Sequence, residues 1–284
     1  MTMKRNIFKT LALSFLILAM AGCNSDEFEK PGYYSQTAAT KTGQKIVDGS
    51  AEYISHVKKD EEKKVTQGVT LFEMSYLNSN GHAMQMFMYK ATIGPVSLIA
   101  ATPEAEAQTA TLTSMAAAIE NQGKYSVMGA ISGGSAIGKG DTFFAVLNDG
   151  TAVCLPASEY EGLKSKVTMG YSGTAHLVQN GYILTQSDNA TAARAAVGVS
   201  ENGNEVYLVV VDGSDFFYSN GISCTDLARL MKGCGAHDAV ALTSGNAVTA
   251  VWRNIRSENL FDLLNKPADK GIEAEIAGGI VIVQ

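Results

Sequence analysis

The chain is poor in the residues that most often announce chemistry. Its 284 residues include only four histidines, four cysteines and one tryptophan. His56, His82, His176 and His237 are scattered, and no cysteine–histidine spacing matches a zinc site, so neither a metal nor a cofactor is expected. Cysteine is too scarce for a disulfide scaffold. Cys224 and Cys234 fall at the two ends of an expected helix, about 15 Å apart, which is too far for a bridge. Basic residues are outnumbered 22 to 28, for a net charge of −6, and that argues against a nucleic-acid partner, which usually needs a basic face. The long apolar run from Leu11 to Ala21 falls short of the roughly 20 residues of a comfortable membrane span.

That run has another use. Lys4 and Arg5 precede it and Met20-Ala21-Gly22-Cys23 follows, so residues 1–22 are expected to be a secretory signal. A cysteine directly after small residues resembles a bacterial lipoprotein signal. Cys23 would then be the lipidated first residue of the mature chain, holding it on a membrane, with residues 23–42 as a polar tether. The acidic stretch Asn24-Ser25-Asp26-Glu27-Phe28-Glu29 resembles the surface-export signals of Bacteroidetes lipoproteins, so an outer-membrane lipoprotein exposed at the surface is expected. Loss of Lys4, Arg5 and Lys9 with the signal leaves 22 − 3 = 19 basic against 28 acidic residues, about −9.

With 46% hydrophobic and 18% charged residues the remainder is globular. A helical stripe runs from Gly43 to about Lys59, and the mixed charges of 58–64 read as its solvated end. From 68 onward strand signals dominate. VTLFEMSYL (69–77), AMQMFMYKA (83–91) and VSLIAA (96–101) read as an antiparallel meander, with Met84, Met86 and Met88 as core rather than a soft-metal site. Hairpins are expected over 141–156 on Asn148-Asp149-Gly150, over 175–184 on Asn180-Gly181, and over 193–211 on Glu201-Asn202-Gly203. Another is expected between 239–243 and 247–252. Helices are expected over 111–121, capped by Ser114 or Thr113, over 158–166, over 222–233 with Ser223 as cap, and from Ser257 through Leu264. The fold class is therefore α+β: a mixed, mostly antiparallel sheet system with packed helices, one domain over 68–284 behind a helix and charged segment at 43–67.

Four short stretches then stand out: AISGG (130–134), RAAVG (194–198), VVVDG (209–213) and LARLMKGCGAHDAVALTSGNA (227–247). In their order and spacing, residues 68–284 resemble the phosphodiester glycosidase family. The departures are specific. Ser132 stands where the family has asparagine, Ser135 and Ala136 where aromatics follow the glycines, Thr243 where the last loop has aspartate, and Ser244 where it has its first glycine.

The resemblance implies a sugar-1-phosphodiester or related glycan as ligand. Breaking the bond at the anomeric carbon expels a phosphate monoester, a good leaving group, so the site must chiefly hold phosphate and stabilise an oxocarbenium-like carbon. Arg194 and the Gly133-Gly134 turn suit the phosphate, with Ser132, Gly213, Thr243, Ser244 and Gly245 as further contacts. With the loop aspartate replaced by Thr243, Asp212 is the carboxylate left at a family position, so the catalytic role is expected there. Alternatives stay open: Asp212-Gly213 as a plain turn, Arg194 paired with a carboxylate such as Asp212, and the whole chain as an inactive binding protein or surface scaffold of the same fold.

Overall fold

The structure, a computed structural model, describes residues 37–103, 108–258 and 260–284. The expected signal segment and the expected lipidation site Cys23 lie outside the described residues. Where the sequence alternates, or is apolar on both faces, the chain is extended. Eight strands form one antiparallel sheet in the order β1 (Ile54–Thr66), β2 (Val69–Asn78), β3 (Ala83–Thr92), β12 (Glu205–Val211), β11 (Arg194–Val199), β13 (Asp238–Ser244), β9 (Ala175–Gln179) and β10 (Tyr182–Ile183). A second sheet runs β15 (Phe261–Leu263), β14 (Ala250–Arg253), β5 (Val127–Ser132), β16 (Gly279–Val283) and β4 (Ser97–Ala101). A third has β7 (Ala152–Pro156), β6 (Thr142–Leu147) and β8 (Val167–Gly173).

The period-two arrangement of side chains sorts the core into layers. From β12, Tyr207, Val209 and Val211 face a cluster with Met84, Met86 and Met88, closed by helices α1 (Lys41–Gly49) and α4 (Cys224–Cys234) through Ile46, Leu227, Leu230 and Met231. The alternate residues Val206, Leu208 and Val210 pack on Met128, Ile131, Phe144 and Ile280 of the two smaller sheets. Each such side chain, fully buried, contributes roughly 1.5–3 kcal/mol. Beyond the five-stranded sheet, helix α2 (Leu112–Asn121) seals Val127, Ala130, Val251 and Phe261 with Leu112, Met115 and Ala116. The order is helix, sheet, sheet, helix. The short α3 (Tyr160–Leu163) lies between β7 and β8.

Two tyrosines cross between sheets. Tyr89 of β3 donates to the Val251 carbonyl at 3.0 Å, where Gly129 leaves room for the ring that a Cβ would fill. Tyr171 of β8 donates to the carbonyls of Ala101 at 3.0 Å and Gly279 at 2.9 Å. Helix α4 has the predicted Ser223 cap, whose hydroxyl accepts from the Asp226 amide, and ends at Gly235 with φ 101°.

Several expectations are corrected. The helix expected over 43–59 ends at Gly49, and 54–66 is the edge strand β1, its charges on an edge exposed to water. Strand pairing decides most of the others. β4 leaves the meander to pair with β16, and β3 pairs with β12 instead. β13 and β14 do not pair: a 3₁₀ turn at Gly245–Ala247 carries the chain from one sheet to the other. The segment expected as a last helix is β15, paired with β14. Thr111, not Ser114 or Thr113, caps α2.

Candidate functional site

Where strands of all three sheets end together, a cleft of about 620 Å³ opens. Its walls are Ser132–Ser135 after β5, Ser172–Thr174 at the β8–β9 junction, and Leu242–Ser244 at the end of β13. Lys139, Asp141 and the segment Glu275–Gly278 complete it. Sequence reasoning placed Ser132, Gly133, Gly134, Thr243 and Ser244 in one site, and the structure brings these five together here.

The loop after β5 is pinned from one side. Ser172 donates its amide to the Ser135 carbonyl and its hydroxyl to that of Ala136, both at 2.9 Å, and accepts from the Lys139 amide at 3.1 Å. Gly133 packs against the Tyr171 ring and Gly134 against the Ser172 carbonyl, each too close for comfort with a Cβ. These glycines therefore answer first to packing. Among the described residues, the amides of Gly134 and Ser135 donate to no protein acceptor, which leaves two N–H donors at the cleft wall. Ser132 is buried and exchanges two bonds with Thr249: its amide donates to the Thr249 carbonyl at 2.8 Å and its hydroxyl accepts from the Thr249 amide at 3.1 Å. A register shift opposite Ala195 and Ala196 marks the end of β13, and Gly245, at φ 70°, starts the turn beyond it.

The charges in the cleft are Lys139, Asp141 and Glu275, and Glu275 accepts from the Thr109 hydroxyl at 2.8 Å. Sequence reasoning missed all three. They lie in loops with no motif of their own, and their sole signal is position: Lys139 and Asp141 follow the glycine pair closely.

Arg194 and Asp212 sit elsewhere. Neither lines the cleft. Arg194 is 4% exposed, and its side chain lies against the carbonyl of Ile222, a residue of the helix-side core. It donates through Nε to that carbonyl at 2.9 Å, and through one terminal nitrogen to Ala190 at 2.9 Å and Asp188 at 2.7 Å. Its carboxylate partner is thus Asp188 and not Asp212. These bonds close the loop that precedes β11.

Asp212 is fully buried. Its Oδ2 accepts from the Tyr218 hydroxyl and the Lys266 amide, both at 3.0 Å, and its Oδ1 from the Asn265 side chain at 2.8 Å. Burial pushes this carboxyl above its usual range, against the lowering pull of those three donors and of the Lys266 charge. The carboxylate reaches the cleft only through protein. Asn265 also bonds the Val248 carbonyl at 3.2 Å and the Ala250 amide at 2.7 Å, and so clamps the two neighbours of Thr249, the residue that holds Ser132. Gly213 is required by backbone crowding, since a Cβ there would collide with the Ala193 amide. The expected role of Asp212 as a residue of the cleft is not what its contacts show: its carboxylate is taken up by Tyr218, Asn265 and Lys266, of which no spacing in the sequence signals Tyr218 or Asn265.

Four layers thus carry a glycine- and hydroxyl-lined cleft at the ends of three sheets. The phosphodiester glycosidase family model matches residues 101–283, and the chain belongs to that family. Among solved structures, it is similar to the catalytic domain of zebrafish N-acetylglucosamine-1-phosphodiester alpha-N-acetylglucosaminidase auto-inhibited by its pro-peptide. The identity is 15%, covering 79% of this chain and 87% of that one, with a TM-score of 0.57. It is also similar to a hypothetical protein from Synechocystis, at 12% identity over 79% of this chain and 63% of that one, TM-score 0.56. No curated protein matches the chain. Among the described residues no helix is long and apolar enough to cross a membrane, and no group of three or more His, Cys, Asp or Glu side chains is placed to hold a metal ion.

Proposed function

We propose that the chain binds a sugar-1-phosphodiester in this cleft and hydrolyses it at the anomeric carbon. The observation that carries the reading is one cation beside two carboxylates in a cleft with two unengaged amides. Lys139 and the Gly134 and Ser135 amides take the phosphate, with the Ser135 and Ser244 hydroxyls as further donors. The family's phosphodiester chemistry needs a carboxylate at the sugar, and Asp141 and Glu275 are the carboxylates that line the cleft. One supports the oxocarbenium-like carbon or activates water, and the leaving phosphate needs little help from an acid. Arg194 and Asp212 act as positioning residues, the first holding the loop before β11 and the second holding the floor of the cleft through Asn265. The zebrafish enzyme, an N-acetylglucosamine-1-phosphodiester alpha-N-acetylglucosaminidase, makes α-N-acetylglucosamine the first sugar to test. The setting we propose, from the Cys23 motif, is the outer membrane, with the chain lipid-anchored and displayed at the surface.

The second reading is a protein that holds the same ligand without cutting it. It is favoured by Asp212, the remaining family-position carboxylate, being fully engaged by Tyr218, Asn265 and Lys266. The chain from residue 24 is incubated with an aryl phosphodiester of α-N-acetylglucosamine and sugar release is followed. Release that disappears in Asp141→Asn or Glu275→Gln, with affinity falling in Lys139→Ala, supports hydrolysis at this cleft. Binding by calorimetry without release supports the second reading. Release unchanged in all three variants refutes the placement of the site.

A further inference from the structure

The loop after β12 puts two phenylalanines into water. Phe216 is 64% exposed and Phe217 91%, and their rings meet edge to face at 5.3 Å. Adjacent exposed aromatics held on an ordered loop form a contiguous apolar surface of the kind that meets a partner or a membrane. This loop is so held. Asp215 accepts through Oδ1 from the amides of Phe217 and Tyr218, both at 3.2 Å, and its carbonyl accepts from the Ser219 amide at 2.8 Å. Lys266 pairs with Asp215 at 2.8 Å from outside, and Tyr218 is held by Asp212 from inside. The hydrogen bonds fix a tip whose outermost side chains touch little else of the chain.

The position of the tip says what it meets. The Phe216 ring lies 6.1 Å from that of His82, at the end of the β2–β3 turn. Ser79 of the same turn shares a recess with Thr37, where the described chain begins. The described chain thus begins beside the turn on which Phe216 rests. From Cys23 to Thr37 is 37 − 23 = 14 residues, a reach of up to about 50 Å when extended. A tether that long holds the domain near a surface without orienting it, whereas a second contact does both. The anchored chain's charge of about −9 gives no attraction to anionic lipid, and Lys266 beside the loop is already paired with Asp215, so the contact is apolar.

We propose that the Phe216–Phe217 tip inserts into the interfacial region of the membrane that anchors the chain, docking the domain on the lipid surface by its tether end. The proposal rests on the lipid anchor expected at Cys23 and not on the glycosidase reading. It is tested on the chain from residue 24, which retains the whole compact unit Ser35–Gln284. Flotation with neutral phosphatidylcholine–phosphatidylethanolamine vesicles is compared for the parent and a Phe216→Ser, Phe217→Ser double variant. The parent should partition onto the vesicles, and equally so in about 0.5 M salt, where charge attraction is screened. The double variant should lose that partitioning about tenfold or more, a loss typical of removing two aromatic anchors, while melting and sugar release stay unchanged. A dye on Phe217→Cys should move to shorter emission wavelength when vesicles are added. No partitioning of the parent overturns the proposal, as does equal partitioning of the double variant. So does a double variant that changes only oligomeric state or glycan affinity, since the tip would then be a protein or sugar contact.

Discussion

Replacing Asp212 separates a structural role from a chemical one. Asp212→Ala leaves the Tyr218 hydroxyl, the Asn265 side chain and the Lys266 amide without their acceptor. Tyr218 is half-buried and Lys266 exposed, so water reaches two of the three, while Asn265 stays buried. One stranded buried donor and two weakened ones cost about 2–4 kcal/mol. For a unit of this size that lowers the melting temperature by about 4–16 °C. Asp212→Asn keeps the shape but sets an amide N–H against at least one donor, for about 1–2 kcal/mol. The pH dependence has a definite sign. Burial raises the carboxyl in the native state, so the native chain holds that proton more tightly than the unfolded one. The group's contribution is full below the ordinary value of 3.8 and is lost as pH rises through the raised value. The gap between the parent and Asp212→Asn should therefore be widest in acid and narrow toward neutrality. Calorimetric melting at acid and neutral pH measures it. If Asp212→Ala melts within about 2 °C of the parent while sugar release vanishes, the carboxylate is chemical and the reasoning fails.

Other expectations follow from single contacts. Arg194→Ala should cost about 2–4 kcal/mol through its loss of the Ile222, Ala190 and Asp188 bonds, with affinity in the cleft unchanged by calorimetry, and Arg194→Lys should recover only part. Glu120 is held below its usual range by the Arg253 guanidinium, so its contribution is present above 4.5 and lost as pH falls through the lowered value. Glu120→Gln should thus cost about 1–2 kcal/mol in urea unfolding at neutral pH and little in acid. Gly213→Ala, which collides with backbone, should fail to accumulate as folded protein, whereas Gly245→Ala, at φ 70° with open space around it, should lose only about 1–2 kcal/mol in melting. Cys154, Cys224 and Cys234 are buried free thiols, with burial pushing Cys234 up to about 12. A thiol reagent should reach them only on unfolding, and reductant should leave the melting temperature where it was.

The legible parts of the fold were those with local causes. Asn180-Gly181 and Asn148-Asp149-Gly150 fix hairpins because glycine and asparagine take the positive φ that tight turns need. Ser223 and Gly235 bracket α4 for the same kind of reason. What failed was choice of partner. AVALT and AVTAVW read as a hairpin because both are apolar and a glycine lies between them, but partner choice is set by which faces must be buried, and that is not local. The charged run at 58–64 read as helix because an edge strand tolerates charge on the positions that meet water. The cleft was half legible, since the glycine-bearing strand ends do converge. Arg194 and Asp212 carried the family pattern, yet their side chains are absorbed by Asp188, Tyr218 and Asn265, residues that fall outside every motif. Lys139, Asp141 and Glu275 were invisible because loop charges look alike until a fold gathers them.

The 3₁₀ turn at Gly245–Ala247, which carries the chain out of one sheet and into the next, makes the cleft a joint. Its walls belong to separate sheets, each with its own register and its own buried face. Ser135, in the loop beyond β5, can change identity without disturbing a strand on either side, whereas Thr243 and Ser244 at the end of β13 are held in register by Ala195 and Arg194. A loop placed at such a joint can change its ligand contacts while the sheets on either side keep their registers.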